Sequence, residues 1–338
     1  MYFITQGSGY SAALDFHKGK LDATIIDLNG SPHFDGMIPK AKTMECIPAD
    51  AIALNFTNGA VQRPFGDIGA SPLGFSINAY ADVNLRIAQE IKMKIPALYK
   101  QEPPTPAVKI GSSTWLEIKP GVEYAVRGYW DGEAFTMFAI TGRWNRALAG
   151  DVGPILSGAI CTGFSILEPE NPLKSQFDAL ADYIRDKKDR FRGPVYITVI
   201  DDGSHLWYKD IYFGFRFPEE YALARLSSVE ITYLGGNVAF GKGYSLAMAV
   251  TMYDKEPLRL DDVSVAEARL DYVRVDGRKV IPNAFKIGYV VGKGKTFADA
   301  ALEAVEIARK VCPNFGYRTD AGKRAKEWYY HVRKRIKG

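Results

Sequence analysis

Residues 288–324, GYVVGKGKTFADAALEAVEIARKVCPNFGYRTDAGKR, hold the signals on which the fold turns. An apolar, β-branched run ending in Gly-Lys-Gly predicts a strand closed by flexible backbone. Thr296 then stands as a helix N-cap, with Asp299 three residues on and Arg309 and Lys310 in the last turn, which predicts a helix over Phe297–Val311. Upstream, YSLAMAVTMY (244–253), the hairpin pattern ARLDYVRV-DG-RKVI (268–281) and FKIGYVVG (285–292) make this region β-rich. Earlier still, WLEIKPGVEYAVRGYWDGEAFTMFAIT (115–141) alternates strand-like runs with Pro-Gly and Asp-Gly turns, and PVYITVI (194–200) meets HLWYKDIYFGF (205–215) across Asp-Asp-Gly-Ser. A helix is predicted over 174–190, with Phe177, Leu180 and Ile184 on one face. Together with the N-terminal strands these elements predict a mixed sheet in an α/β protein.

At the N-terminus the runs YFIT (2–5), ATIIDL (23–28) and AIALNF (51–56) read as buried parallel strands, which places Ile4, Ile25 and Leu54 in one sheet. SINAYADVNLRIAQEIKMKI (76–95) spaces Tyr80, Val83, Ile87 and Ile91 as a helix that Pro96 closes. QEPPTPAV (101–108) is stiff and extended and marks the best internal boundary.

With 338 residues, 47% of them hydrophobic and 24% charged, the chain can bury a sizeable core in two domains or one large one. The net charge of +4 permits anionic partners without requiring them. Cys46, Cys161 and Cys312 are widely spaced, and His17, His33, His205 and His331 show no ligand spacing, so neither a disulfide framework nor a zinc site is expected. No run is long and apolar enough for a membrane span, and a cytoplasmic protein is the simplest expectation.

Behind the basic patch RWNRALA (143–149) comes GDVGPILSGA (150–159). Its glycines could bring backbone amides to a phosphate while Asp151 orients an amine or hydroxyl; it could equally be a turn between strands. Gly7, Ser8 and Gly9, between the first strand and a helix expected at 10–18, offer amides to a phosphate or simply make a tight turn. The tail KRAKEWYYHVRKRIKG (323–338) interleaves basic residues with Trp328, Tyr329 and Tyr330, which makes nucleic acid a candidate partner; an amphipathic helix docked through its aromatics is favoured over that.

The Tyr317, Arg318, Asp320 and Gly322 close, after a Gly-rich strand, a helix and an aromatic-glycine turn, resembles the end of phosphoribosylamine-glycine ligases of the ATP-grasp superfamily. Their loop G-D-x-G-P-N-T-G-G-M-G is similar to this one at Gly150, Asp151, Gly153, Pro154 and Gly158, with Arg146 before it. GSG at 7–9, the helix ending at Ile95 and Pro96, and EIKPGVEYAV (117–126) follow in the same order. The resemblance implies an ATP-grasp-like α/β fold with an N-terminal pre-ATP-grasp-like domain (1–100), a reduced central domain (108–240), a C-terminal β-rich domain (241–322) and the tail (323–338).

It also implies an ATP-dependent carboxylate-amine ligase of the purine-biosynthetic kind, using ATP and Mg²⁺. Asp151 and Arg146 would be catalytic; Gly7, Ser8, Gly9, Gly150, Gly153, Pro154, Ser157 and Gly158 would bind a small, phosphate-bearing substrate. Lys109, Glu117 and Glu123 would contact ATP, and Asp210 and Glu219 the metal. Three departures stand out. The interval 97–114 leaves room for little of the family's ATP flap. Tyr212 replaces a metal-ligating asparagine, and a phenol is a poor Mg²⁺ ligand. Ile155 and Leu156 replace the polar pair of the loop. A relative that binds a phosphate-bearing ligand or a partner protein without making the bond is therefore carried as an alternative, and one retargeted to nucleotide or nucleic-acid modification as a second.

Overall fold

A computed structural model of the chain describes residues 2–5, 24–27, 53–56, 81–110, 114–186, 193–213, 216, 218–226, 243–251, 258–259, 268–270, 273–276, 279–282, 285–311 and 316–337. The strands are β1 (Tyr2–Thr5), β2 (Thr24–Asp27), β3 (Ala53–Phe56), β4 (Leu98–Tyr99), β5 (Ala107–Ile110), β6 (Thr114–Glu117), β7 (Val122–Trp130), β8 (Phe135–Leu148) and β9 (Val152–Ser165). They continue as β10 (Gly193–Asp201), β11 (Leu206–Phe213), β12 (Tyr244–Thr251), β13 (Leu258–Arg259), β14 (Ala268–Leu270), β15 (Val273–Asp276), β16 (Lys279–Pro282) and β17 (Lys286–Gly294). The helices are α1 (Ala81–Glu90), α2 (Lys174–Asp186), α3 (Glu219–Leu226), α4 (Phe297–Val311) and α5 (Ala321–Lys337).

The three N-terminal runs form one parallel sheet in the order β2-β1-β3, with Phe3 opposite both Ile25 and Leu54. The large sheet, β11-β10-β7-β8-β9-β12-β17-β14, is not mixed as expected: every pairing in it is antiparallel. Short turns join β7 to β8, β8 to β9 and β10 to β11, and a short turn can only reverse a strand. The ladder continues from β9 to β12, so one sheet spans residue 241. The Asp-Gly hairpin signal forms β15 and β16, which join β13 in a separate sheet, while β14 pairs with β17.

Helix α1 stops before Pro96 because Lys92 takes a left-handed conformation (φ 56°) and the chain caps itself, Lys92 N–H donating to Gln89 O and Met93 N–H to Ala88 O. Between α1 and β7 stands only a small antiparallel sheet, β4-β6-β5.

Period-two alternation gives the large sheet two unlike faces. One is apolar: Val126, Ile140, Ile197, Phe164 and Ile211 form a core with Phe177 and Leu180 of α2, Ile87 of α1 and Trp328 of α5. Leu246, Met248 and Val290 continue it beneath Ala300, Ala304 and Ile307 of α4. Helix α4 sits so close to β17 that a Cβ at Gly292 would stand 1.9 Å from Ala300 O and 2.5 Å from Ala304 N, both backbone. Gly292→Ala should therefore push the helix off its strand and cost about 2 kcal/mol in urea unfolding; an unchanged midpoint would show that α4 shifts freely.

Helix α5 is the docked amphipathic tail. Trp328 is 7% exposed, its indole N–H donates to Glu123 O at 3.0 Å, and it lies against Gly142. Tyr329 packs edge-on against Phe164, so two of the three tail aromatics are used in packing, while Tyr330 stays exposed.

Candidate functional site

The opposite face of the sheet carries α3, whose Tyr221 and Ala222 pack on Cys161, Ala247, Ala249 and Tyr289; beside this apolar patch, towards β7, β8 and β10, the face is polar. Alternation along β8 sends Ile140 and Gly142 to the apolar core and Arg143 to this side; on β10 it sends Tyr196 and Thr198 here, and on β7 Arg127. Two adjacent carboxylates, Glu219 and Glu220, open α3, where the helix dipole favours negative charge. Each is spoken for by the sheet. Glu220 receives Arg127 through a fork, Nε to Oε1 at 2.9 Å and Nη2 to Oε2 at 3.3 Å, and the Tyr196 hydroxyl donates to the same carboxylate. Burial, reinforced by Glu220, pushes the Tyr196 phenol well up, so it stays a neutral donor.

Glu219, 1% exposed, sits between two guanidiniums. Its Oε1 accepts from Arg143 at 3.2 Å and from Arg216 at 3.0 Å, while Arg216 also donates to Thr198 Oγ1 at 2.8 Å. Its Oε2 is buried and accepts no hydrogen bond from the described residues. Burial opposes the Arg143 charge, and Glu219 overcomes that and holds it firmly protonated. Beside them burial, then Glu219, raises the Cys161 thiol, so it is an unreactive core sulfur. Arg143 reaches Asn145 at 2.9 Å, and Asn145 accepts from Gly158 N–H at 3.1 Å. At Gly158 (φ 81°) a Cβ would meet Pro218 at 2.7 Å, so this glycine lets the start of α3 approach β9.

The loop that the sequence singled out is the tip of the β8-β9 hairpin, with Leu148 opposite Val152. Gly150 (φ 74°) and Asp151 (φ 58°) make the turn. Asp151 points to the C-terminal close: Oδ1 accepts from Arg318 at 2.7 Å and Oδ2 from Arg324 at 2.9 Å. Arg318 grips Asp320 through a fork at 2.9 and 2.7 Å and donates to Arg146 O at 3.2 Å, and Gly150 N–H donates to Asp320 at 3.1 Å. Arg146, exposed, donates to Gly153 O at 2.9 Å. The two motifs thus form one clasp. Pro154 is exposed, the Ser157 backbone lies in β9, and Gly7, Ser8, Gly9 and the helix expected at 10–18 fall outside the described residues.

No protein-family model and no curated protein matches the chain. Solved structures do. A phosphoribosylamine-glycine ligase from Thermotoga maritima superposes with a TM-score of 0.69 at 15% identity, covering 95% of this chain and 100% of that one. A phosphoribosylglycinamide synthetase from Anaerococcus prevotii gives 0.60 at 9%, over 94% and 98%; an Archaeoglobus fulgidus protein assigned to the ATP-grasp superfamily gives 0.53 at 11%, over 85% and 99%. The chain has the ATP-grasp fold. It is a divergent version, similar in architecture to glycinamide ribonucleotide synthetases.

An ATP-grasp fold implies ATP and Mg²⁺, and the residues present fit the two unequally. Lys109 on β5 is exposed, its ammonium 6.0 Å from the Trp115 ring centroid and unpaired among the described residues, so it is available to a phosphate. Glu117 is engaged by Lys119 at 2.7 Å, which holds its carboxyl below the usual range, and by Ala97 N–H at 3.3 Å; Glu123 is paired with Lys209. Mg²⁺ fits poorly. Glu219 is already held by two guanidiniums, burial keeps Tyr212 a neutral phenol, and no three His, Cys, Asp or Glu among the described residues gather into a donor set, which leaves Asp210 on β11 as a lone carboxylate. Arg143 and Arg216 suit an anion instead.

Arg127, Arg143, Arg216 and Glu220 are the residues that sequence reasoning missed, and with them the contact that joins Arg318 and Asp320 to Asp151. A signal existed for one pair of them: Arg127 and Arg143 each interrupt an apolar strand, and a buried charge in such a run needs a partner. No helix among the described residues is long and apolar enough to cross a membrane.

Proposed function

We propose that the protein is an ATP-dependent ligase of the carboxylate-amine kind, acting in nucleotide metabolism in the cytoplasm, whose acidic substrate is received by Arg143 and Arg216 beneath α3. The observation that supports this is Glu219: one oxygen fixes the two guanidiniums, and the other, buried and without a partner among the described residues, is left for an amine or hydroxyl. A ligand carrying an anionic group beside an N–H or O–H, such as a phosphorylated amine or an amino acid, would satisfy both halves. ATP, when bound, supplies the phosphoryl group that activates a carboxylate, and Lys109, exposed on β5, would hold a phosphate. Arg143 and Arg216, each 17% exposed and locked by Glu219 and Thr198, would neutralise negative charge that grows on the substrate without having to reorganise. Glu219 orients that pair and accepts the substrate's donor.

A second reading, a relative that binds a phosphate-bearing ligand without turnover, is favoured by the poor fit to Mg²⁺. Incubation with Mg-ATP and panels of acids and amines separates the two: the ligase reading expects ADP release that requires both an acid and an amine. Arg216→Ala should weaken the acidic substrate roughly 30-fold, about 2 kcal/mol for a lost charged hydrogen bond. Phosphate binding without ADP release under any pairing would move the assignment to the second reading, and unchanged affinity in Arg216→Ala would remove the anion site from both.

A further inference from the structure

We propose that the protein has a second site, for a nucleoside phosphate, in the cleft between α5 and the ends of β9, β12 and β17. The cleft has a volume of about 660 Å³, the size of a small-molecule site. It lies beside α5, and Leu226, at the opposite end of α3 from Glu219, also lines it. Among the described residues ten line it, of which three are cations, Lys293, Lys295 and Arg333, and none is an acid. They also include three aromatic rings, Phe164, Tyr244 and Tyr329.

The cations differ in what they can do. Arg333 is committed: its guanidinium lies 4.9 Å from the Phe164 ring centroid and reaches Glu170 at 3.4 Å. It serves as a flat, stacked wall. Lys293 and Lys295 flank Gly294 at the end of β17, both exposed, and neither ammonium meets a carboxylate among the described residues. Two unpaired lysines held two residues apart on a strand end suit a phosphate, whose point-charge recognition lysine serves well.

The aromatic wall supplies the rest. Tyr329 stands edge-on to Phe164 at 4.9 Å and to Tyr244 at 5.2 Å, and Phe297 backs Tyr244 at 4.4 Å. A hydrogen bond with Tyr329, with burial second, raises the Tyr244 phenol to about 12, so it remains neutral at the cleft wall. Edge-to-face and tilted packing fixes these rings from behind, and a fixed ring beside a phosphate-binding group is what a planar base needs, since stacking contributes about 1–3 kcal/mol per base. An inorganic anion would use the lysines alone; a nucleoside phosphate uses lysines and rings together. The same chemistry is offered by a free nucleotide and by one unit of a single strand.

The test uses the full chain with three probes: AMP, inorganic phosphate and a labelled dT12 oligonucleotide. AMP or the strand should bind at least tenfold more tightly than phosphate. Lys293→Glu with Lys295→Glu changes only exposed side chains and should weaken binding at least tenfold, while Arg216→Ala leaves it unchanged and the double variant leaves ADP release unchanged. Tyr244→Leu, which keeps the bulk against Phe297, should weaken AMP but not phosphate. A strand bound far above AMP, with a salt slope that falls by about 1.4 in the lysine variant for two lost phosphate contacts, would identify a strand as the source; comparable affinities would identify the free nucleotide. Phosphate binding as tightly as AMP, or unaltered nucleotide binding in the double lysine variant, would overturn the proposal, and neither outcome bears on the Glu219 site.

Discussion

Glu220→Ala should destabilise the protein by about 4 kcal/mol, the range for breaking a buried ion pair by removing one partner. Arg127 is 1% exposed and Glu220 6%, so the stranded guanidinium has no solvent to turn to and keeps only weaker acceptors such as Met137 O at 3.2 Å. The Tyr196 hydroxyl, equally buried, loses its acceptor in the same step. Urea unfolding should show a lower midpoint with an unchanged slope, because the surface exposed on unfolding is the same. Glu220→Ala combined with Arg127→Met should recover much of the loss, since two desolvated charges are then replaced by apolar atoms. A single substitution costing less than about 1 kcal/mol would mean that water reaches the pair. The effect extends to the site, because Glu219 is the neighbouring residue on the same turn of α3: without the Glu220 anchor, Arg143 and Arg216 lose the fixed carboxylate that holds them.

What could be read in advance follows the range of the interactions involved. The parallel strands at 2–5, 24–27 and 53–56, the hairpin across Asp-Asp-Gly-Ser, helix α4 with its Thr296 cap and the docked tail are all set by local pattern, and the structure contains each of them. Thr296 Oγ1 accepts from Asp299 N–H at 3.1 Å, and Asp299 accepts from Thr296 N–H at 3.0 Å, the reciprocal cap implied by their spacing. The large sheet is antiparallel where a mixed one is expected, because apolar strands look alike whether their neighbours run parallel or antiparallel. The helix expected over 76–95 ends at Glu90, and the left-handed Lys92 beyond it carries no residue signal such as glycine. The polar face was least legible. Arg127 and Glu220 are 93 residues apart and Arg318 and Asp151 are 167 apart, and nothing in either residue's surroundings names the other. The family resemblance marked Asp151, Arg318 and Asp320 as separate motifs, and only the fold shows that they grip one another.

That grip sets the second large effect, about 3 kcal/mol lost on Arg318→Ala. Arg318 is 1% exposed on its side chain and is the hub of the clasp, with Asp320, Asp151 and the Arg146 carbonyl all accepting from it. The cost falls below that of Glu220 because Asp151, at 42% exposed, regains water when the partner leaves. Arg318→Lys should recover only part, as an ammonium cannot reproduce the fork to Asp320. The clasp also has a pH signature. Arg318 hydrogen bonding, opposed by burial and helped by Gly150 N–H, holds the Asp320 carboxyl down at about 2. A carboxylate lowered by folding contributes stability above its unfolded value near 4, and that contribution fades as pH falls towards about 2. The midpoint gap between the natural chain and Arg318→Ala should therefore be constant above pH ~5 and should close progressively between pH ~4 and ~2. A gap that stays constant down to pH ~2 would show that Asp320 is not what Arg318 holds. A gap that closes there would place the β8-β9 hairpin tip under the control of a C-terminal ion pair, with Asp151 serving to anchor the loop.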